Sequence, residues 1–261
     1  MSYEMITVEI DARGVATLTL NQPEKHNALS RVMLDELTDA AATLGADDAV
    51  RVVVLTGEGK SFCAGGDLGW MKEQIAAEPE TRMKEARKLA EMLQALNTIP
   101  KPLIGRINGQ AFGGGTGMMS VCDVAIGVEG TKFGLTETKL GLIPATISPY
   151  VVARMGEDKA RRVFMSARLF DADEAVTLNL LAKSVAAEDL DAAVEAEVAP
   201  YLKVAPRAVA KSKALVRYLG MPIDDEVIDH TIRALAEAWE DAESAEGIDA
   251  FFSKRKASWV K

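Results

Sequence analysis

The sequence predicts an α/β core that passes into an all-helical tail near residue 200. Three observations carry that expectation. Strand and helix signals alternate through the first two-thirds of the chain. The run RVVVLT at residues 51–56 is β-branched throughout, the mark of a strand buried on both faces. From residue 147 onward the helical period dominates. The chain has 261 residues, enough for one large domain with a folded surface of about 11,000 Å². Hydrophobic residues make up 48% and aromatics 5%, so the interior has to be built from Ala, Val, Leu, Ile and Met.

Ile6–Ile10 and Val15–Leu20 alternate or run apolar on either side of Asp11-Ala12-Arg13-Gly14, which predicts a β-hairpin. A polar loop with Pro23 follows, and Ser30 opens an amphipathic helix that places Leu34, Leu37 and Ala41 on one face. After the RVVVLT strand, helices are expected near residues 68–77 and 80–97. Further strands are expected at 103–107 and 123–128, with a glycine cluster and a short helix between them. The tail reads as helices over 207–219, 227–240 and 244–256, with apolar faces that point to subunit packing. No internal repeat and no linker interrupts this order.

Composition excludes several functions. Thirty basic residues against 39 acidic ones leave a net charge of −9, which repels polyanions and anionic membranes unless a basic patch is concentrated somewhere. Cys63 and Cys122 are too few for a disulfide framework. No apolar run is long enough to span a bilayer, and Met1-Ser2-Tyr3-Glu4 does not open like a signal peptide. The expectation is a cytoplasmic enzyme.

Familiar motifs fail on inspection. Gly59-Lys60-Ser61 resembles the end of a phosphate loop, but the glycine required earlier is Val54. The cluster Gly113-Gly114-Gly115-Thr116-Gly117 breaks the dinucleotide pattern at Met118. With only His26 and His230, a histidine metal site or a Ser-His-Asp triad is poorly supplied, and His230 is expected to pack or face solvent. The chemistry must come from carboxylates and backbone amides. Two glycine-containing turns follow strands: residues 59–68, including Ser61-Phe62-Cys63-Ala64-Gly65-Gly66-Asp67-Leu68, and residues 108–117. Glycines there let another group approach the main chain, and helix-opening amides lack intrahelical acceptors, so two such amides could converge as an oxyanion hole.

Together with Asn21-Gln22-Pro23-Glu24-Lys25-His26-Asn27-Ala28-Leu29, Cys122-Asp123, residues 133–144 (FGLTETKLGLIP) and the terminal Phe251-Phe252-Ser253-Lys254-Arg255-Lys256, these turns resemble the enoyl-CoA hydratase/isomerase (crotonase) superfamily nearly end to end. The resemblance implies an α/β crotonase-type ββα superhelix over residues 1–200. It also implies a C-terminal helical region, 201–261, for trimerisation and active-site cover, and a homotrimer or a dimer of trimers. The substrate it implies is an acyl-CoA thioester, with CoA part of the substrate, no separate cofactor and no metal.

Carried over by residue, the amides of Ala64 and Gly114 hold the thioester oxygen and Glu137 carries a proton to or from the acyl chain. Lys25, Ala28, Gly65, Gly66, Asp67 and Leu68 embrace the substrate and its CoA, and Lys254, from a neighbouring subunit, contacts a phosphate. Trp70, Met71, Leu142 and Tyr150 are acyl-pocket candidates, the Tyr150 hydroxyl facing a substrate carboxylate or water. One departure matters: two-carboxylate hydratases carry a second glutamate where this chain has Gly117. The segments 67–71 and 137–150 are similar to the branch acting on branched, carboxylated enoyl-CoAs, including methylglutaconyl-CoA and isohexenylglutaconyl-CoA hydratases, which points to leucine or acyclic-terpene breakdown. The alternatives are a Δ3,Δ2-enoyl-CoA isomerase, which needs one base, and a CoA- or RNA-binding protein on the same scaffold with reduced catalysis.

Overall fold

A computed structural model describes residues 3–261. Met1 and Ser2, part of the segment read against a signal peptide, lie outside the described residues. The hairpin forms as expected: β1 (Ile6–Ile10) and β2 (Val15–Leu20) pair antiparallel, Ile6 against Leu20. The Ser30 hydroxyl accepts the Met33 amide and caps α1 (Arg31–Ala46), whose Leu34, Leu37 and Ala41 are buried. The RVVVLT segment supplies β3 (Val52–Gly57), all six residues buried. It lies parallel to β2 and to β5 (Leu103–Ile107), and β7 (Val124–Val128) and β10 (Lys183–Val185) extend the same sheet.

The sequence reading missed a second sheet. Its strands are three residues each: β4 (Ser61–Cys63), β6 (Gln110–Phe112), β8 (Lys132–Gly134) and β9 (Leu169–Asp171), in the order β4-β6-β8-β9. The first three run parallel, Ser61 opposite Gln110 and Ala111 opposite Phe133. The chain therefore climbs as a ββα spiral. A strand of the first sheet leads to a strand of the second, then to helices, and the cycle repeats. β3 and β4 precede α2 (Leu68–Ala76) and α3 (Pro79–Thr98); β5 and β6 precede α4 (Gly114–Val121). After β7 and β8 come a 3-10 turn, Glu137–Leu140, then α5 (Ser148–Met155) and α6 (Glu157–Phe164). The main core lies among these layers, and a smaller one sits between the first sheet and α8 (Leu190–Val198). The short α7 (Ala172–Thr177) joins β9 to β10.

The tail divides in two. In α9 (Pro206–Leu219) no residue is buried, and Val216 and Tyr218 are 72% and 86% exposed. By contrast, α10 (Asp225–Glu240) buries Ile228 and Ile232 against Ala86 and Ala90 of α3, and α11 (Ala242–Phe252) packs with Trp239 on Leu142. His230 is exposed on α10, as expected. Cys63 and Cys122 are free and fully buried, and burial pushes both thiols up to about 12. Among the described residues, no helix is long and apolar enough to cross a membrane.

Candidate active site

The spiral brings three distant segments together because each leaves the C-terminal end of a second-sheet strand. Residues 64–66 follow β4, 113–114 follow β6, and Glu137 lies just beyond β8. All three segments line one cavity of about 470 Å³, with Trp70, Met71 and Leu142 on its apolar walls.

Glu137 has its Oε2 fully buried without a hydrogen-bond partner. Burial pushes its carboxyl up to about 7, an effect its own main-chain N–H partly offsets. The neighbouring Gly113 has φ +48, and a Cβ there would stand 2.8 Å from Glu137 Oε1. The left-handed backbone and the missing side chain are both needed to seat the carboxyl.

The two glycine turns touch. A Cβ on Gly65 would lie 3.9 Å from Gly114 N, and one on Gly115 would lie 2.4 Å from Cys63 O. Gly114 opens α4, so its amide has no intrahelical acceptor. Ala64, however, is corrected here: its amide donates to His26 O at 2.9 Å, which ties the turn to the 21–29 loop and removes it as a donor to substrate. The Gly65 amide faces the Cys63 sulfur. Gly66 is left as the turn's free amide, because its bridge to Leu29 uses the Gly65 carbonyl and the Asp67 amide. The expected pair becomes Gly66 and Gly114.

The second-carboxylate position is closed. A Cβ on Gly117 would fall 2.7 Å from Ile147 Cγ2 and 3.0 Å from Ile147 Cβ. Ile147 fills the room a second acid would need, and Glu137 is the only carboxylate among the described residues lining the cavity.

The family model described as enoyl-CoA hydratase/isomerase matches residues 11–261. The chain belongs to that family. It is similar to a crotonyl-CoA hydratase of Syntrophomonas wolfei, 32% identical over 100% of this chain and 99% of that protein. Among solved structures, an enoyl-CoA hydratase from Shewanella pealeana superposes with a TM-score of 0.80 at 36% identity, covering 98% and 96% of the two chains. Pseudomonas aeruginosa AtuE gives 0.81 at 37%, covering 99% and 100%.

For a member of the enoyl-CoA hydratase/isomerase family, the remaining expected residues fall in two groups. Leu68, 48% exposed, lines the cavity with Gly65 and Gly66. Lys25, Ala28, Asp67 and Lys254 do not. Asp67 caps α2 through the amides of Gly69 and Trp70, and the exposed Lys25 lies 4.0 Å from it. Ala28 is buried, and Lys254 is an exposed residue at φ +53 just past α11. Tyr150 is a second correction. It is 2% exposed, its hydroxyl donates toward Ala90 O and Gln94 Oε1 at 3.3 Å, and it lines a separate groove beneath α9 with Asp123 and Arg217. Its ring is buried in the interior, outside the lining of the Glu137 cavity. Sequence reasoning also missed Leu235, Trp239 and Phe251, tail residues of the same chain that complete the cavity. The helical period of the tail marked them only as apolar.

Proposed function

We propose that the protein hydrates an α,β-unsaturated acyl-CoA, with Glu137 as sole proton carrier and the amides of Gly66 and Gly114 as the oxyanion hole. The observation that carries this reading is the enclosed Glu137 carboxyl, its Oε2 without a partner, beside the Gly113–Gly114 turn. Glu137 takes a proton from water as the water oxygen bonds to Cβ. The C=C electron pair moves to the thioester oxygen, and the enolate faces the two amides. Protonated Glu137 then returns the proton to Cα, so water and proton add on one face. A carboxyl poised near neutrality serves both halves.

A branched, carboxylated acyl group is the substrate class this reading favours. The cavity is largely apolar, and Lys139, the sole basic residue among those described in its lining, forms no ion pair among the described residues that would compete with a substrate carboxylate. The filled second-acid position favours one further reading, double-bond isomerisation, which needs a single base. Incubating enoyl-CoA esters in isotopically labelled water separates the two. Incorporation of the water oxygen supports hydration, and a shifted double bond with no oxygen gained overturns it.

We read the chain as a homotrimer or dimer of trimers that uses α9 for contact. Its apolar residues are exposed, and the folded surface of 12448 Å² exceeds the roughly 11,000 Å² expected for a monomer of this mass. Light scattering measures the assembly directly.

A further inference from the structure

Glu85 lies on α3, outside the cavity, yet it is a carboxylate on that helix's apolar stripe and only 6% exposed. A buried carboxylate persists when it is paired and hydrogen-bonded. Glu85 Oε2 accepts from Arg31 Nε at 2.8 Å and from the indole Nε1 of Trp70 at 3.3 Å. Trp70 is the link to the site. Its ring lines the cavity, and Cε3 and Cζ3 lie 3.8 Å from where a Cβ on Gly66 would stand. A continuous path therefore runs from α1 through Glu85 and the indole to the turn bearing the free Gly66 amide.

The helix carrying Trp70 is held mostly by polar contacts at its rim, with Asp67 capping it, Arg31 pairing with Glu73 and Lys72 lying over the Phe252 ring. Gln74 is the single buried residue of α2, and its C-terminal carbonyls at Gln74 and Ile75 are held from outside by Arg82. Because the ring is wide and flat, a rotation about its side-chain bonds would both open the acyl wall and uncover the turn. The indole N–H bond to Glu85 opposes that rotation.

We infer that Glu85 is a positioning residue that fixes Trp70 over the Gly66 turn and thereby sets which acyl groups the cavity accepts. This inference rests on the enoyl-thioester reading above for its assay. With the tether intact, compact branched acyl groups meet a closed wall and are oriented by it. With the tether cut, the wall yields and extended chains gain room.

The test compares kcat/KM for tiglyl-CoA and a linear octenoyl-CoA in Glu85→Gln, Glu85→Leu, Trp70→Phe and the double variant Glu85→Leu/Trp70→Phe. Glu85→Leu should lower the branched-to-linear ratio by about tenfold or more, on the scale of losses that follow from misplacing substrate. Trp70→Phe keeps a ring but lacks the N–H, and should shift the ratio the same way. The double variant should add little to Glu85→Leu, since contacting residues couple. Glu85→Gln, whose amide oxygen still accepts from the indole, should restore most of the ratio. Equal losses on both esters, or additive effects in the double variant, overturn the tether. If Glu85→Leu does not fold, the Trp70→Phe ratio decides alone. If the wild-type protein hydrates neither ester, the hydratase reading is tested separately with a carboxylated enoyl-CoA. The tether is then judged by calorimetric binding of isovaleryl-CoA and octanoyl-CoA to the wild type and Trp70→Phe, where an unchanged affinity ratio overturns it.

Discussion

Two turns of the spiral meet the same cavity with opposite equipment. After β8, Glu137 places a carboxyl in an enclosed space, one oxygen unpartnered and its pKa raised to about 7. Along α4, after β6, Gly117 has no space for a side chain because Ile147 occupies it. In the first region burial tunes an acid; in the second, packing forbids one. Under the proposed reading the contrast leaves one carboxyl to accept and return the proton, which a group titrating near neutrality can do.

The strongest way to break this contrast is Glu137→Gln, which should lower kcat by about 10²–10⁴-fold with the fold intact. Enoyl-thioester absorbance follows the loss, and near-full activity would show that the proton carrier lies elsewhere. The wild-type kcat/KM should fall as pH drops below about 7, because the ionised carboxylate must take the proton from water.

Linkage sharpens the same point through stability. The folded pKa of Glu137 is raised from 4.5 to about 7, so the stability gained from its protonated form is complete below 4.5 and is lost as pH rises through 7. Glu137→Gln escapes that loss. In urea melts its advantage over the wild type should grow from acid to mildly alkaline buffer by at most about 3.5 kcal/mol, at about 1.4 kcal/mol per unit. A constant difference across pH would place the carboxyl in water.

Gly113→Ala acts on the seat of the carboxyl. The added methyl meets Oε1 and strains a backbone at φ +48, so kcat/KM should drop on the order of a hundredfold by displacing one reacting group. The smallest effect is expected at the closed position. Gly117→Ala should cost roughly 1–3 kcal/mol in thermal or urea unfolding through overpacking against Ile147, and pairing it with Ile147→Val should recover part of that.

Much of this architecture was legible in the residues, and the illegible parts have physical reasons. The hairpin, the Ser30 cap, the strand at Leu103–Ile107 and the tail helices carry strong periodic or capping signals. The second sheet carries none. Its strands are too short for alternation and sit inside glycine turns, where they read as loops. Motifs located the two glycine turns, but a motif does not say which N–H of a turn is left without a partner. Only the bond from Ala64 to His26 O moves that role to Gly66. Tyr150 shares a motif with Glu137 yet belongs to another helix face. Glu85 did leave a trace, an acid on the apolar stripe of α3.

The cavity also bears on autonomy. Leu235, Trp239 and Phe251, which finish its far wall, come from the same polypeptide as Glu137. That wall is thus closed from within one chain. A chain shortened before α10 would therefore lose part of the wall around its own Glu137.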